Sequence, residues 1–156
     1  MEENRRILVI DDDQGVRETY RGILVDEKEP EMFSMGRELF TIDSDQPKSP
    51  SETTYEVTMA ENGIEGIEKV KAAMAENRPF AVAFIDMKMP GINGAETSAK
   101  IWEIDYDIRI VIVTAYSDYS PEDIIAVTGR NDIFYLRKPF NHEEIIQFAR
   151  ALTYHL

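Results

Sequence analysis

The chain alternates between short apolar runs, rich in valine and isoleucine, and longer stretches with helical periodicity. This alternation is typical of βα units, in which buried parallel strands lie between layers of helices. We predict strands near residues 6–10, 55–60, 80–85, 109–114 and 133–137, each followed by a helix. The pattern therefore predicts an α/β fold built on one five-stranded parallel sheet.

Polar residues mark the predicted helix starts. Asp13 precedes the first helix, which we expect to begin near Gln14, and Ser120-Pro121 combines an N-cap with a proline at the first helical position. Three other starts have the asparagine and glutamate spacing of capping boxes: Asn62 with Glu65, Asn93 with Glu96, and Asn141 with Glu144. We expect the last helix to end close to Leu156.

One segment interrupts the alternation. Connections in such folds usually take about 2–6 residues, yet residues 28–54 lie between the first helix and the second strand. We interpret them as an insertion, with helical turns in the front half and a partly mobile, proline-containing loop in the back half. With this insertion, residues 1–156 are predicted to form a single domain.

The composition excludes several classes of protein. The 17 basic and 30 acidic residues give a net charge of −13, which is unfavourable for direct binding to nucleic acid. The absence of cysteine excludes disulfides and zinc–thiolate sites. The apolar run at residues 7–10 ends in an acidic triplet, so we predict no signal peptide, no membrane insertion and a cytoplasmic location.

Four of the predicted strands end in polar side chains. Asp11 and Asp12 follow the first strand, Asp86 the third, Thr114 the fourth and Lys138 the fifth. In a doubly wound sheet of order 2-1-3-4-5, these ends share one edge and strands 1 and 3 are neighbours. Carboxylates suit Mg²⁺, and an ammonium and a hydroxyl suit a phosphoryl group. We predict phosphoryl transfer to Asp86, with Mg²⁺ held by Asp12 and Asp86.

Four segments in this order resemble one protein family. They read Ile7 to Asp13 (ILVIDDD), Phe84 to Gly94 (FIDMKMPGING), Val113 to Ala115 (VTA) and Tyr135 to Phe140 (YLRKPF). Together they resemble the receiver domain of response regulators in two-component signalling, the CheY-like domains. The resemblance covers essentially the whole chain except residues 28–54 and implies a flavodoxin-like fold.

The resemblance also implies a role for each acidic residue. Asp86 matches the phosphoacceptor, Asp12 a direct Mg²⁺ ligand, and Asp11 an acidic partner that acts through metal-bound water. The backbone carbonyl of Lys88 matches the third protein ligand of the metal. Lys88 and Tyr116, each two residues beyond a site residue, match positions that set the lifetime of the phosphoryl group.

The remaining matches concern the response to phosphorylation. Thr114 and Lys138 match the switch hydroxyl and the phosphate-binding lysine, so both belong to the predicted reaction site. Tyr135 matches an aromatic that moves inward when the threonine is drawn to the phosphoryl group. The Lys138-Pro139 bond is typically cis in the family, which implies a cis bond here.

The function implied is a phosphorylation-dependent switch and not a classical enzyme, although such a receiver assists its own phosphorylation and dephosphorylation. The expected phosphoryl source is a histidine kinase or a phosphotransfer protein of a phosphorelay. The expected recipient of the signal is a downstream protein, or an output domain if the chain is an excised receiver. The face of helix 4, strand 5 and helix 5 is the expected contact surface, for a partner or for a dimer.

Two other functions are open alternatives. A Mg²⁺-dependent phosphatase of the haloacid dehalogenase type also uses an aspartate nucleophile, a threonine and a lysine, and Asp11 to Asp13 has its Asp-x-Asp spacing. Its last acidic motif should follow the lysine, however, whereas Asp86 precedes Thr114. A receiver-like interaction module that is never phosphorylated is the second alternative, and the complete set of site residues argues against it.

Overall fold

In the computed structural model, residues 4–25, 54–115 and 119–153 are described. The strands are β1 (Arg6–Ile10), β2 (Glu56–Ala60), β3 (Val82–Asp86), β4 (Arg109–Thr114) and β5 (Phe134–Arg137). The helices are α1 (Gln14–Leu24), α2 (Gly63–Ala75), α3 (Gly94–Ile104), α4 (Pro121–Thr128) and α5 (His142–Thr153). The predicted strands are therefore confirmed to within two residues at each end. The predicted insertion (apart from Thr54), Tyr116 and the end near Leu156 lie outside the described residues.

The five strands form one sheet of order β2-β1-β3-β4-β5, and every pair is parallel. The predicted order 2-1-3-4-5 is thus confirmed. The register places Ile10 beside Ile85 and Asp86 beside Val113. The carboxyl ends of β1, β3 and β4 therefore lie along one edge, where the polar side chains follow.

Apolar side chains of the sheet enter two cores, one on each face. Leu8 and Ile10 of β1 pack with α2, α3 and α4, whereas Ile7 and Val9 pack with α1 and α5. All four side chains are fully buried, and each such burial is worth about 1.5–3 kcal/mol. Burial on both faces explains why the strands read as continuous apolar runs. Among the described residues, no helix is long and apolar enough to cross a membrane.

The helix caps follow the sequence with one exception. The Asp13 side chain accepts from the Val16 N–H at 3.2 Å, as predicted for the start of α1. Reciprocal capping boxes open α3, α4 and α5 between Asn93 and Glu96, Ser120 and Asp123, and Asn141 and Glu144. At α2, Asn62 accepts from the Glu65 N–H, but the Glu65 carboxylate accepts from the Glu61 N–H instead. The predicted box is wrong there, where Asn62 has a fully extended backbone (φ −157°, ψ 175°).

The parts of the chain that flank residues 26–53 lie next to each other. The Tyr55 N–H donates to the Leu24 carbonyl at 3.1 Å. Directly beyond, Arg6 of β1 stands in register with Glu56 of β2. The edge strand is therefore aligned with its neighbour from its first residue.

Arg130 ties α3 to the connection between α4 and β5, at the sheet end opposite the polar cluster. Its guanidinium carbon lies 3.9 Å from the ring centre of Trp102 and 4.3 Å from that of Tyr106. The guanidinium also donates to both carboxylate oxygens of Asp132, at 3.0 and 2.7 Å, and to the Tyr106 carbonyl at 2.9 Å. One side chain thus combines two cation–π contacts with a bidentate ion pair.

Arg130→Lys is expected to lower the free energy of unfolding by about 1 kcal/mol, because lysine has neither the planar stacking surface nor the fork of donors. Urea denaturation followed by circular dichroism measures the change. Arg150→Lys, at an exposed position of α5, is the matched control and should be neutral. Equal destabilisation of the two variants would show that the stacked geometry contributes nothing.

Candidate functional site

The acidic residues that follow β1 and end β3 meet at the carboxyl edge of the sheet. Asp11, Asp12 and Asp86 each place a carboxylate oxygen within 4.8 Å of the others. Asp11 and Asp86 are buried, at 3% and 4% exposure, whereas Asp12 is exposed. The predicted convergence of these three residues is therefore confirmed, with one carboxylate open to solvent.

Backbone contacts fix the loop that carries the first two carboxylates. The Asp11 carboxylate accepts from the Asp13 N–H at 2.9 Å, and the Asp11 N–H donates to the Ala60 carbonyl at 3.1 Å. Arg17, one turn into α1, donates to the Asp11 carbonyl at 2.7 Å. Arg17 was not predicted from the sequence, where its only signal is a basic residue at the start of a helix.

On the β3 side of the acidic cluster, α3 approaches the end of the strand closely. A Cβ on Gly94 would lie 2.6 Å from the Asp86 carbonyl oxygen and 2.9 Å from the Met87 Cα, so a larger residue would displace this backbone. The Gly94 N–H donates to the Met87 carbonyl at 2.8 Å. Glycine at this position therefore lets the first turn of α3 approach the backbone of Asp86 and Met87 closely and form a hydrogen bond with it.

Lys138 brings a positive charge to the cluster. Its Nζ lies 2.7 Å from Oδ1 of Asp86, and its backbone N–H donates to the Thr114 carbonyl at 3.0 Å. The Lys138-Pro139 bond is cis, as the resemblance implied. Thr114 is buried at the end of β4, and Tyr135 of β5 packs partly buried against the core under α2, α3 and α4.

Burial dominates the electrostatics of the site. It raises the pKa of Asp11 to about 6, against a lowering by the Asp13 N–H and with a further rise from the charge of Asp86. Burial also raises the pKa of Asp86, although the hydrogen bond and charge of Lys138 oppose it. Burial lowers the pKa of Lys138, but Asp86 outweighs it and the net shift is upward. Three carboxylates facing one ammonium fit a divalent cation, since clustered anions otherwise retain protons.

The metal-free protein is expected to lose stability as pH rises from about 4 to about 6. Folded Asp11, with a pKa of about 6 against an ordinary 3.8, binds more protons there than unfolded Asp11. Its contribution is thus present below the unfolded pKa and lost as pH rises through the folded one. After allowance for solvent screening we expect about 1–2 kcal/mol from this residue.

Urea denaturation across this pH range, with a chelator present, measures the loss. Asp11→Asn should remove this part of the pH dependence, while Asp86 and Asp105, whose pKa values burial also raises, keep their contributions. An identical pH profile for wild type and Asp11→Asn would show that the Asp11 proton is not linked to folding.

A small cavity of about 50 Å³ opens beside Asp86. Lys88 lines this cavity and is exposed. That its backbone carbonyl is a metal ligand stays a prediction. Tyr119, which was not predicted from the sequence, also lines the cavity. The available signal was its place directly before the Ser120 cap. Tyr116, predicted to set the lifetime of the phosphoryl group together with Lys88, lies outside the described residues.

Comparison with known proteins decides which family this site represents. The model of the response regulator receiver domain matches residues 49–150. The chain belongs to the response regulator receiver family. Response regulator MprA from Mycobacterium sp. (strain KMS) is 31% identical over 147 residues, which are 94% of this chain and 50% of that protein. The chain spans about half the length of the curated relatives it matches. As a response regulator receiver, it belongs to two-component signalling.

Solved receiver structures share the fold. A CheY-like receiver domain protein from Methanospirillum hungatei JF-1 is similar with a TM-score of 0.64 and 21% identity, over 94% of this chain and 91% of that one. The response regulator TrrA from Thermotoga maritima, solved in complex with Mg²⁺-BeF, has a TM-score of 0.60 and 25% identity, over 95% and 98%. The family match starts at residue 49, beyond β1 and α1. β1 nevertheless lies between β2 and β3 in the sheet, and the acidic residues that follow it lie beside Asp86.

Proposed function

We propose that this receiver is a phosphorylation switch in which Asp86 accepts the phosphoryl group. The observation that carries the proposal is the setting of this carboxylate: it is buried, 2.7 Å from the Lys138 ammonium, and in one cluster with Asp11 and Asp12. Lys138 offers positive charge to a group that brings several negative oxygens to Asp86, and the neighbouring carboxylates would hold a cation that adds to this charge. The proposed donor is a phosphohistidine of a histidine kinase or of a phosphotransfer protein.

Asp11, Asp12 and Asp86 are the residues that would hold Mg²⁺, with the Lys88 carbonyl as a further ligand. The bound ion would supply positive charge toward the phosphoryl oxygens. This chain supplies the rest. A carboxylate oxygen of Asp86 forms a bond to phosphorus as the P–N bond breaks, and the electron pair stays on the imidazole nitrogen of the donor. Lys138 offsets charge on the phosphoryl oxygens.

Thr114 and Tyr135 link this chemistry to the surface. We propose that the Thr114 hydroxyl donates to a phosphoryl oxygen and that Tyr135 then moves inward. Tyr135 packs against the core and is also one of the residues that line a groove of about 530 Å³ between β5 and α5. A change at Thr114 is thereby transmitted to the face of α4, β5 and α5.

That face is the proposed contact surface for a downstream protein, for an output domain of the same protein, or for a second copy of this receiver. We also propose that residues 1–156 act as one receiver domain that includes the segment 28–54, and that Lys88 and Tyr116 tune the lifetime of the phosphoryl group. We place the switch in the cytoplasm, which agrees with the acidic, cysteine-free composition.

The test is to incubate the protein with acetyl phosphate, with Mg²⁺ or with a chelator, and to follow its intact mass. We expect one base-labile phosphoryl adduct that requires Mg²⁺. Borohydride reduction converts an aspartyl phosphate to homoserine, so peptide mapping should place homoserine at residue 86. No adduct would favour a receiver that only binds partners. Rapid turnover of ordinary phosphomonoesters that is lost in Asp11→Asn would favour a phosphatase.

A further inference from the structure

Tyr119 forms a wall of the cavity beside Asp86. It precedes the N-cap of α4 and lines the cavity together with Lys138 and the end of β4. The cavity volume of about 50 Å³ leaves room for roughly two water molecules, at about 30 Å³ each. Between β4 and α4, the other described residue that lines the cavity is Ala115, which has only a methyl group. Among the described residues from β4 to α4, Tyr119 is therefore the bulkiest residue that lines the cavity.

The start of α4 holds this ring in place. Tyr119 is half-buried and packs against the same core that contains Ile124. The two residues flank the Ser120 cap as N′ and the fourth helical position, the arrangement of a hydrophobic staple. Tyr135 packs against this core as well. The position of the Tyr119 ring is thus fixed by packing.

We infer that Tyr119 is a specificity-determining residue: its ring limits which phosphodonors reach Asp86 and how readily water reaches the aspartyl phosphate. The inference rests on the proposed function. With an acyl phosphate as donor, an Asp86 oxygen bonds to phosphorus while the acyl oxygen leaves with its electron pair as a carboxylate. A bulky acyl group must pass the ring for this bond to form.

The same wall governs loss of the phosphoryl group. In hydrolysis, a water oxygen bonds to phosphorus, the bond from phosphorus to the Asp86 oxygen breaks, and the electron pair returns to the carboxylate. Both protons of the attacking water end on inorganic phosphate. Because the cavity holds only a few waters, a side chain that fills part of it lowers the frequency of this attack.

The test compares acetyl phosphate with the larger benzoyl phosphate, in Mg²⁺, on wild type and Tyr119→Leu. Leucine keeps an apolar residue in the staple but removes the ring. We expect the ratio of benzoyl to acetyl phosphorylation rates to rise roughly three- to tenfold, and hydrolysis of the adduct to accelerate by a similar factor. Tyr119→Phe keeps the ring and should stay within about twofold of wild type in both.

Ile124→Val is the matched control, because it loosens the staple without touching the cavity. Reproduction of both changes by Ile124→Val, or values for Tyr119→Leu within about twofold of wild type, would overturn the inference. If Tyr119→Leu does not fold, Tyr119→Trp must give the opposite changes, a lower ratio and slower hydrolysis, or the inference fails. A wild type that takes no phosphoryl group from either donor would instead refute the proposed function, and the inference with it.

Discussion

Asp86→Asn is expected to leave the protein folded and unable to carry a phosphoryl group. Asparagine has the shape of aspartate, and its amide oxygen still accepts from the Lys138 ammonium, which lies 2.7 Å from Oδ1. An amide oxygen is a far weaker nucleophile than a carboxylate, so the acyl phosphate cannot form. Intact mass after incubation with acetyl phosphate and Mg²⁺ should show the unmodified mass only.

Asp105→Asn is the matched control for this substitution. Asp105 is also buried, at 6% exposure, and burial also raises its pKa. It follows α3 at the opposite end of the sheet, where its carboxylate accepts from the Asp107 N–H at 3.1 Å. Asp105→Asn should therefore be phosphorylated like wild type. An adduct on Asp86→Asn of wild-type yield would place the phosphoacceptor elsewhere.

Lys138→Met is expected to slow phosphorylation by roughly 10²–10³-fold, the usual effect of removing one preorganised charge partner from a reacting oxygen. It should also tighten Mg²⁺ binding, because the ammonium repels a cation held by the same carboxylates. The phosphorylation rate is measured by acetyl phosphate kinetics and the Mg²⁺ affinity by calorimetric titration. A slower rate with tighter Mg²⁺ binding indicates an electrostatic role of Lys138, because general damage to the site would weaken both.

Lys100→Met, at an exposed position of α3, is the control for loss of one lysine and should change neither quantity. Weaker Mg²⁺ binding in Lys138→Met would indicate that the substitution distorts the acidic cluster. A phosphorylation rate within about twofold of wild type would show that the ammonium does not stabilise the reacting oxygens.

Much of the fold could be predicted because local and global preferences agree. The strand order and the Asp13 cap follow from buried apolar runs and from short polar side chains that satisfy free N–H groups. The exception at Glu65 shows the limit of such spacing rules. The Glu65 carboxylate accepts from the Glu61 N–H, and the spacing of Asn62 and Glu65 does not state which backbone N–H is presented to it.

The site itself was predictable only as far as strand ends define it. Asp11, Asp12 and Asp86 converge because the sheet order makes β1 and β3 neighbours. Arg17 and Tyr119 were missed because their contacts depend on how helices turn above the sheet edge, which no motif encodes. The raised pKa of Asp11 likewise depends on its degree of burial, which is a property of the folded chain.

Because a hydrogen bond joins Leu24 and Tyr55 at one corner of this receiver, we expect the segment between them to tolerate changes in length. For a segment whose two ends are held together by the fold, the loop-closure entropy changes by only about 0.6 kcal/mol for each doubling of its length. We therefore expect a change in the length of residues 26–53 to leave the register of Arg6 with Glu56 intact. This corner is an attachment point for a reporter or a binding sequence, because the acidic cluster lies at the opposite end of the sheet.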